Sequence, residues 1–286
     1  MRRFQLFEFN EAAWLPACLR ALITDYLVCL CRVTRAFYQR LPLLAEAIRH
    51  APRQDRVIDL CSGSGGAWHH LAARLDRMFP HRLQILLTDL YPDPRQRQVG
   101  HDQRLLSFHP EPIDATNPED QLAGLQTLFN AFHQFPPGKA RLVLQRAVEQ
   151  NQPIAIMEML QRRWAMLPLI LLTPLMVLVL TPLIRPFRWW RIVLTYLLPL
   201  APVIITWDSL VSWLRCYRPE ELLGMAHELD ASHYRWEAGS YWYRCAPVTY
   251  LVGYPFEQRQ TARDQTLSAS GRANAVVATA VPTASR

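Results

Sequence analysis

The stretch "VIDLCSGSGGAWHHL", residues 57–71, decides the fold. Val57, Ile58 and Leu60 around Asp59 read as a buried strand. Gly63, Gly65 and Gly66 read as a tight turn, and the residues after them as a helix. In open α/β sheets such a turn lies at the carboxyl end of a strand, where ligands bind. Its glycines let the backbone approach the ligand, and the first N–H groups of the helix lack partners within it. Gly63 and Gly65 match the first two glycines of the dinucleotide fingerprint G-x-G-x-x-G. The third position is Trp68, a ring poorly suited to the close helix–strand packing that this glycine allows.

Outward from the turn, short apolar runs alternate with helical patterns. "LQILLTDL" (83–90), "LLSFHPEPIDA" (105–115), "LQTLFNAFHQF" (125–135) and "PIAIMEM" (153–159) each contain a strand, and "GKARLVLQRAVEQ" (138–150) is a helix. "RPEELLGMAHELD" (218–230) is a further helix, opened by Pro219. "HYRWEAG" and "YWYRCAPVTYLVGYP" read as two closing strands joined at Gly239. The expected fold is α/β: a doubly wound, mostly parallel seven-stranded sheet with an antiparallel last strand. Residues 1–54 form an N-terminal helical cap, with Leu19, Leu22, Ile23, Tyr26, Leu27, Leu30, Val33 and Phe37 at helical spacing and Pro42 dividing it in two. Residues 55–160 form the nucleotide-binding core, 161–210 an apolar helical hairpin insertion, and 211–256 the last helix and closing strands. Residues 257–286, rich in Thr, Ala, Ser and Arg, read as a disordered tail.

Two acids follow the turn at strand ends. Asp89, with Leu90, closes "LLTDL", where a carboxylate can accept hydrogen bonds from both hydroxyls of a ribose; Asp114, with Ala115, follows the third strand, within reach of an adenine amino group. Each acid has a plainer reading, Asp59 as a structural cap and Asp89 as a turn residue before Pro92, but the ordered set is harder to explain so. An acid-and-glycine turn, an acid after strand two, an Asp-Ala after strand three and an aromatic–His–x–Phe strand end resemble the class I S-adenosylmethionine (SAM)-dependent methyltransferases over residues 55–160. The resemblance implies SAM as cofactor. Asp59 would then stabilise the turn through the cofactor's amino group, Gly63 and Gly65 would pass beneath it, Asp89 would hold the ribose and Asp114 the adenine. The glycine run here is G-S-G-G, where the family has G-x-G-x-G, which leaves the contact of Gly66 with the methionine moiety open.

Methyl transfer from a sulfonium is an in-line displacement that owes much to positioning, and a general base is needed only where the acceptor arrives protonated. His133 in "FNAFHQF" and Glu158 in "IMEM" lie at strand ends and are the candidate catalytic groups. A structural histidine closing a strand end is the competing account of His133; a buried acid such as Glu158 needs a partner either way. Trp14 and Arg20 on the N-terminal helices, and Asp208 and Arg215, seven residues apart on one helical face, are the candidate acceptor-binding residues; core packing and surface charge are their plainer readings. His69 and His70 read as lying on a helix surface.

Residues 165–184 are twenty positions without a charge, and 192–207 sixteen more. Twenty helical residues span about 30 Å, the thickness of a bilayer core. Both runs contain prolines, and the connection "RPFRWW" carries Arg185, Arg188 and, just beyond, Arg191. If both runs crossed, these arginines would lie outside, against the positive-inside rule; with Trp189 and Trp190 they suit a headgroup interface. The expected arrangement is a kinked helical pair dipping into one leaflet, with a two-span hairpin and a buried cap as alternatives. Of 31 basic residues only Lys139 is a lysine, and the arginines are scattered, which argues against nucleic acid as a partner despite the net charge of +7. The six cysteines include no C-x-x-C pair and no metal-ligand spacing, so no metal site is expected. The N-terminus lacks a secretory pattern, which points to a membrane-associated protein with a cytoplasmic catalytic domain. The expected function is methyl transfer from SAM to a small hydrophobic or lipid acceptor at a membrane. A membrane-tethered, non-catalytic SAM-binding protein and a nicotinamide-dependent reductase are the alternatives.

Overall fold

A computed structural model describes residues 2–12, 14–92, 105–118, 122–244 and 246–256; the tail at 257–286 lies outside the described residues. Strands β1 (Arg56–Asp59), β2 (Gln84–Leu87), β3 (Leu106–Phe108), β4 (Leu125–Phe129), β5 (Ile154–Glu158), β6 (Tyr234–Tyr243) and β7 (Ala246–Pro255) form one sheet in the order β3-β2-β1-β4-β5-β7-β6. The first five pair in parallel, and β7 runs antiparallel to both β5 and β6. This is the doubly wound, seven-stranded sheet with an antiparallel last strand that the sequence predicts. Its order reverses between β1 and β4, and the crevice at that reversal is where ligands of open sheets bind.

Both faces of the sheet are covered, so its central strands read as continuous apolar runs. Val57, Ala155 and Met157 point to one side, against α2 (Leu41–Arg49) and α3 (Trp68–Asp76); Ile58, Ile154 and Ile156 point to the other, against α4 (Pro137–Glu149) and α9 (Pro219–His227). Trp68, at the third position of the would-be dinucleotide fingerprint, is fully buried with its ring edge-on to Phe129 at 5.4 Å. It therefore sets the spacing between α3 and β4 at a width a glycine would not.

Three expectations need correction. The first long helix, α1 (Ala17–Thr34), ends at Arg35 in a left-handed conformation (φ 52°), seven residues before Pro42, and Pro42 sits in the first turn of α2. Gly239 lies mid-strand in β6; the closing strands, ten residues each, turn after Tyr243, at Arg244 (φ 46°). The lack of a side chain at 239 makes room for a neighbour: a Cβ there would stand 2.8 Å from the Tyr250 hydroxyl. His69 and His70 are half-buried on α3: the His69 ring bonds the Ser64 carbonyl at 2.7 Å, and burial presses His70 down to about 4.

The apolar insertion is broken where its prolines fall. It comprises α5 (Leu167–Leu171), α6 (Thr173–Leu180), α7 (Trp189–Ile192) and α8 (Leu200–Arg215), with Pro168 and Pro174 in the first turns of α5 and α6. No single helix among the described residues is long and apolar enough to cross a membrane. Two pairs, Trp164–Leu171 with Thr173–Leu183 and Trp189–Leu197 with Leu200–Arg215, are so only jointly, and they bend by 42° and 78°. Their inner faces pack on α1, where Leu22, Ile23 and Tyr26 meet Val177, Leu180, Ile204 and Ile205. Their outer faces leave Leu171, Leu183, Trp189, Leu197 and Val203 60–75% exposed. Of the three connecting arginines, Arg185 and Arg188 are exposed, whereas Arg191 turns inward to an ion pair with Asp25 of α1.

Candidate active site

The glycine turn is built by left-handed backbone. Cys61, Gly63 and Gly65 have φ of 55°, 52° and 81°. At Gly65 a Cβ would also stand 2.7 Å from Leu87 Cδ1, whereas at Gly63 it would face open space; Gly66 has neither constraint. The turn is fastened to the end of β2. The Ser62 N–H and hydroxyl donate to the Thr88 carbonyl at 2.9 and 3.0 Å, and the Gly63 N–H donates to Asp89 Oδ2 at 2.9 Å. Asp89 Oδ1 accepts the Tyr91 N–H at 2.9 Å, and Leu90 between them is exposed. The Asp89 carbonyl in turn accepts the Ile113 N–H at 2.9 Å, which brings the next acid alongside. Asp114 is exposed above the buried Ala115. One of its oxygens takes the N–H and hydroxyl of Thr116, both at 2.8 Å, and the other has no hydrogen bond among the described residues.

Asp59 lies beneath the turn, buried, with Oδ1 accepting the Thr127 hydroxyl of β4 at 2.6 Å. Burial raises its carboxyl to about 7, against the Thr127 hydrogen bond that favours the ionised form. All three acids bear on Cys61: burial first, then the charges of Asp89, Asp59 and Asp114, hold its thiol well above the usual range. The structure thus gathers Asp59, Asp89 and Asp114 around one glycine turn.

One strand over from the switch point, at the ends of β4 and β5, His133 and Glu158 meet. His133 is in a 3-10 turn after β4 and Glu158 ends β5; both are buried. Glu158 accepts the His133 Nδ1–H at 2.7 Å and its backbone N–H at 3.0 Å, which fixes the ring. Asn130 (φ 52°) braces the two strand ends, its side-chain oxygen accepting the Met159 N–H at 2.7 Å. On the far side of the ring, Glu8 Oε1 stands 3.6 Å from Nε2. Burial disfavours the imidazolium, but Glu158 and then Glu8 outweigh it and lift His133 to about 10. Burial alone would raise Glu8; the charges of His133 and Arg215 hold it below the usual carboxylate range. Nothing in the local pattern of "LFEFNEAAW" marks Glu8, whose partner is 125 residues away. The only cue there is an acid among aromatics. Thr127, a hydroxyl in a buried strand, is a comparable cue.

Of the four candidate acceptor-binding residues, three hold the leading segment in place. Asp208, buried on α8, accepts the N–H groups of Phe9 and Asn10 at 2.7 and 3.1 Å. Arg215, buried seven residues on, pairs with Glu11 at 2.5 Å and Glu8 at 3.4 Å and donates to the Leu6 carbonyl. Arg20 donates to the carbonyls of Asn10 and Ala12 at 2.5 and 2.7 Å. Asp208 and Arg215 share a helical face as expected, but that face meets the chain's own N-terminal segment and not an open entrance. Arg3 completes the strap, donating to the carbonyls of His133 and Phe135 at 2.9 and 3.0 Å. Trp14 is 68% exposed beside the rings of Phe7 and Phe9.

No protein-family model matches the chain, and no curated protein matches it in sequence. Among solved structures, human N-acetylserotonin methyltransferase in complex with SAM is similar over 90% of this chain and 63% of its own, at 16% identity and a TM-score of 0.47. An O-methyltransferase family 2 protein from Planctomyces limnophilus is similar over 85% of this chain and 63% of its own, at 12% identity and a TM-score of 0.45. The plantazolicin methyltransferase BamL, in complex with a triazolic desmethylPZN analog and SAH, is similar over 83% of this chain and 98% of its own, at 10% identity and a TM-score of 0.42. The chain spans less than two thirds of the length of the first two.

Proposed function

We propose that the chain is a SAM-dependent methyltransferase acting on a lipophilic small molecule that presents an ionisable hydroxyl at a membrane surface. One observation carries the reading: across adjacent strands β1, β4 and β5, an open glycine turn ringed by three acids stands beside a buried imidazole–carboxylate pair. The residues fit the cofactor. Gly63 faces open space, Asp89 keeps a lone pair on each oxygen for ribose hydroxyls, Asp114 has an oxygen without a hydrogen bond among the described residues for an adenine amino group, and the acids complement a cation. Bound there, SAM supplies a methyl group on positively charged sulfur. The chain's part is to hold that group, orient the acceptor and remove its proton. His133 takes the proton at Nε2 while Glu158 stabilises the charge at Nδ1. Incubation with methyl-labelled SAM and a membrane lipid extract should place label in the lipid fraction; SAM binding without such transfer would remove the lipid acceptor from the reading.

With Glu8 opposite Nε2 the imidazole keeps its proton at neutral pH, so it acts as a base only when Glu8 gives way to the acceptor. The raised value also stabilises the fold in a defined window. Below its ordinary 6.5 the pairing contributes fully, and the contribution declines as pH rises toward about 10, because the unfolded chain then releases a proton the folded chain keeps. Glu8→Gln should lower the pKa of His133, shift the rising limb of the rate–pH profile to lower pH and flatten the decline of melting temperature over that window. An unchanged profile would show that Glu8 does not face the working imidazole.

The membrane part of the reading rests on the exposed hairpin face and its tip of Arg185, Arg188 and Trp189, a composition suited to the headgroup region. Leu171, Trp189 and Leu197 contribute little to the core, so replacing all three with serine should leave melting unchanged and move the protein from the membrane pellet to the supernatant. Retention in the pellet would sink the hairpin as the anchor.

A further inference from the structure

We infer that the root of the hairpin carries a second site, one that binds a phosphate group, free or on a lipid headgroup. A cavity of about 420 Å³ opens where the chain leaves β5 and where α8 returns to α9. Its volume lies within the roughly 300–1,000 Å³ of small-molecule sites. Arg162, Arg163 and Arg218 line it, together with Ser240. Arg162 is the informative one. Its residue is 1% exposed, its Nη2 pairs with Glu221, and its Nε and Nη1 have no hydrogen-bond partner among the described residues. A buried guanidinium with idle N–H groups is costly unless something anionic meets them, and a guanidinium fork suits phosphate oxygens.

The surroundings add to this. Glu221 does not meet these groups: one of its oxygens accepts from Arg162 Nη2 and the other from the Arg218 N–H at 2.9 Å. Glu220 lines the cavity from an exposed position and offsets one cation, so three guanidiniums face two carboxylates. Arg163 and Arg218 make no ion pair among the described residues, and α9, nine residues long, starts at the cavity with the positive end of its dipole. Trp164, also on the lining, is 68% exposed and begins the apolar hairpin, its ring against Trp213 at 5.7 Å. A phosphate seated here would therefore lie at the base of the apolar face. The site is independent of the methyl-transfer reading, for none of its lining residues belongs to the glycine turn or the His133 pair.

The test uses the full-length chain and two kinds of probe. Glycerol 3-phosphate is titrated calorimetrically, and phosphatidylcholine vesicles with and without phosphatidic acid are co-sedimented. Wild type should bind at least one phosphate probe saturably. Arg163→Ala/Arg218→Ala, which touches only the rim, should weaken that binding at least about tenfold without lowering the melting temperature. Arg162→Gln should abolish it; if that variant does not fold, the rim pair decides alone. Saturable binding of glycerol 3-phosphate with no preference for phosphatidic acid identifies a soluble phosphate ligand, and a vesicle preference lost in the variants identifies a headgroup. Failure of wild type to bind either probe, or variants that bind as wild type does, overturns the assignment.

Discussion

Asp89→Ala should bind SAM at least about 100-fold more weakly than wild type while keeping its fold. The carboxylate does two things at once. It accepts the N–H groups of Gly63 and Tyr91, holding the glycine turn open beside β2, and it presents its remaining lone pairs where ribose hydroxyls would lie. Hydrogen bonds to a charged group contribute about 1.5–3 kcal/mol each, so losing even two of them corresponds to roughly two orders of magnitude or more in affinity. The fold should survive because Asp89 lies beyond β2, half-buried, and the β1–β2 register ends at Leu87. Calorimetric titration with SAM, alongside thermal melting of both proteins, checks the two halves. Undiminished binding by the variant would remove the cofactor from this turn.

Replacing His133 should cost about 10²–10⁴-fold in kcat and leave SAM affinity nearly unchanged, as expected for a positioned proton acceptor that does not hold the cofactor. The choice of substitution matters. Alanine would leave Glu8 and Glu158 buried near one another without the cation that lies between them, and breaking a buried pair from one side typically costs about 3–5 kcal/mol of stability. Glutamine keeps a donor toward Glu158 but cannot take up a proton near neutral pH, so His133→Gln separates chemistry from folding. Wild-type turnover in a folded His133→Gln protein would show that the acceptor needs no base. Low turnover restored at higher pH, where the acceptor ionises by itself, would support the assigned role.

What could be read from the sequence and what could not divides by distance along the chain. The turn, its acids and the alternation of strands and helices around them were legible because each signal is local: an acid at a strand end, a glycine where φ must be positive, an apolar run where both faces are covered. Gly239 misled because a glycine between aromatic runs signals a turn, whereas here it only makes room for Tyr250. Pro42 misled in a milder way, since a proline also suits the first turn of a helix. The sequence put Asp208 and Arg215 on one helical face, as they are. It could not say what that face meets, because the answer is a segment some 200 residues earlier. Glu8 was hidden for the same reason: a charge buried by tertiary packing looks no different, locally, from one on the surface.

That separation also sets an order in time. Glu8 and Glu11 precede the hairpin in the chain, whereas the arginine that secures them, residue 215, follows it. The loop thus closed from Glu11 to Arg215 is 204 residues long, and contacts so distant in sequence form late, after their closure entropy has been met. Residues 161–210 leave the ribosome before Arg215 does. The apolar hairpin is therefore fully synthesised before the charged strap over His133 can be tied.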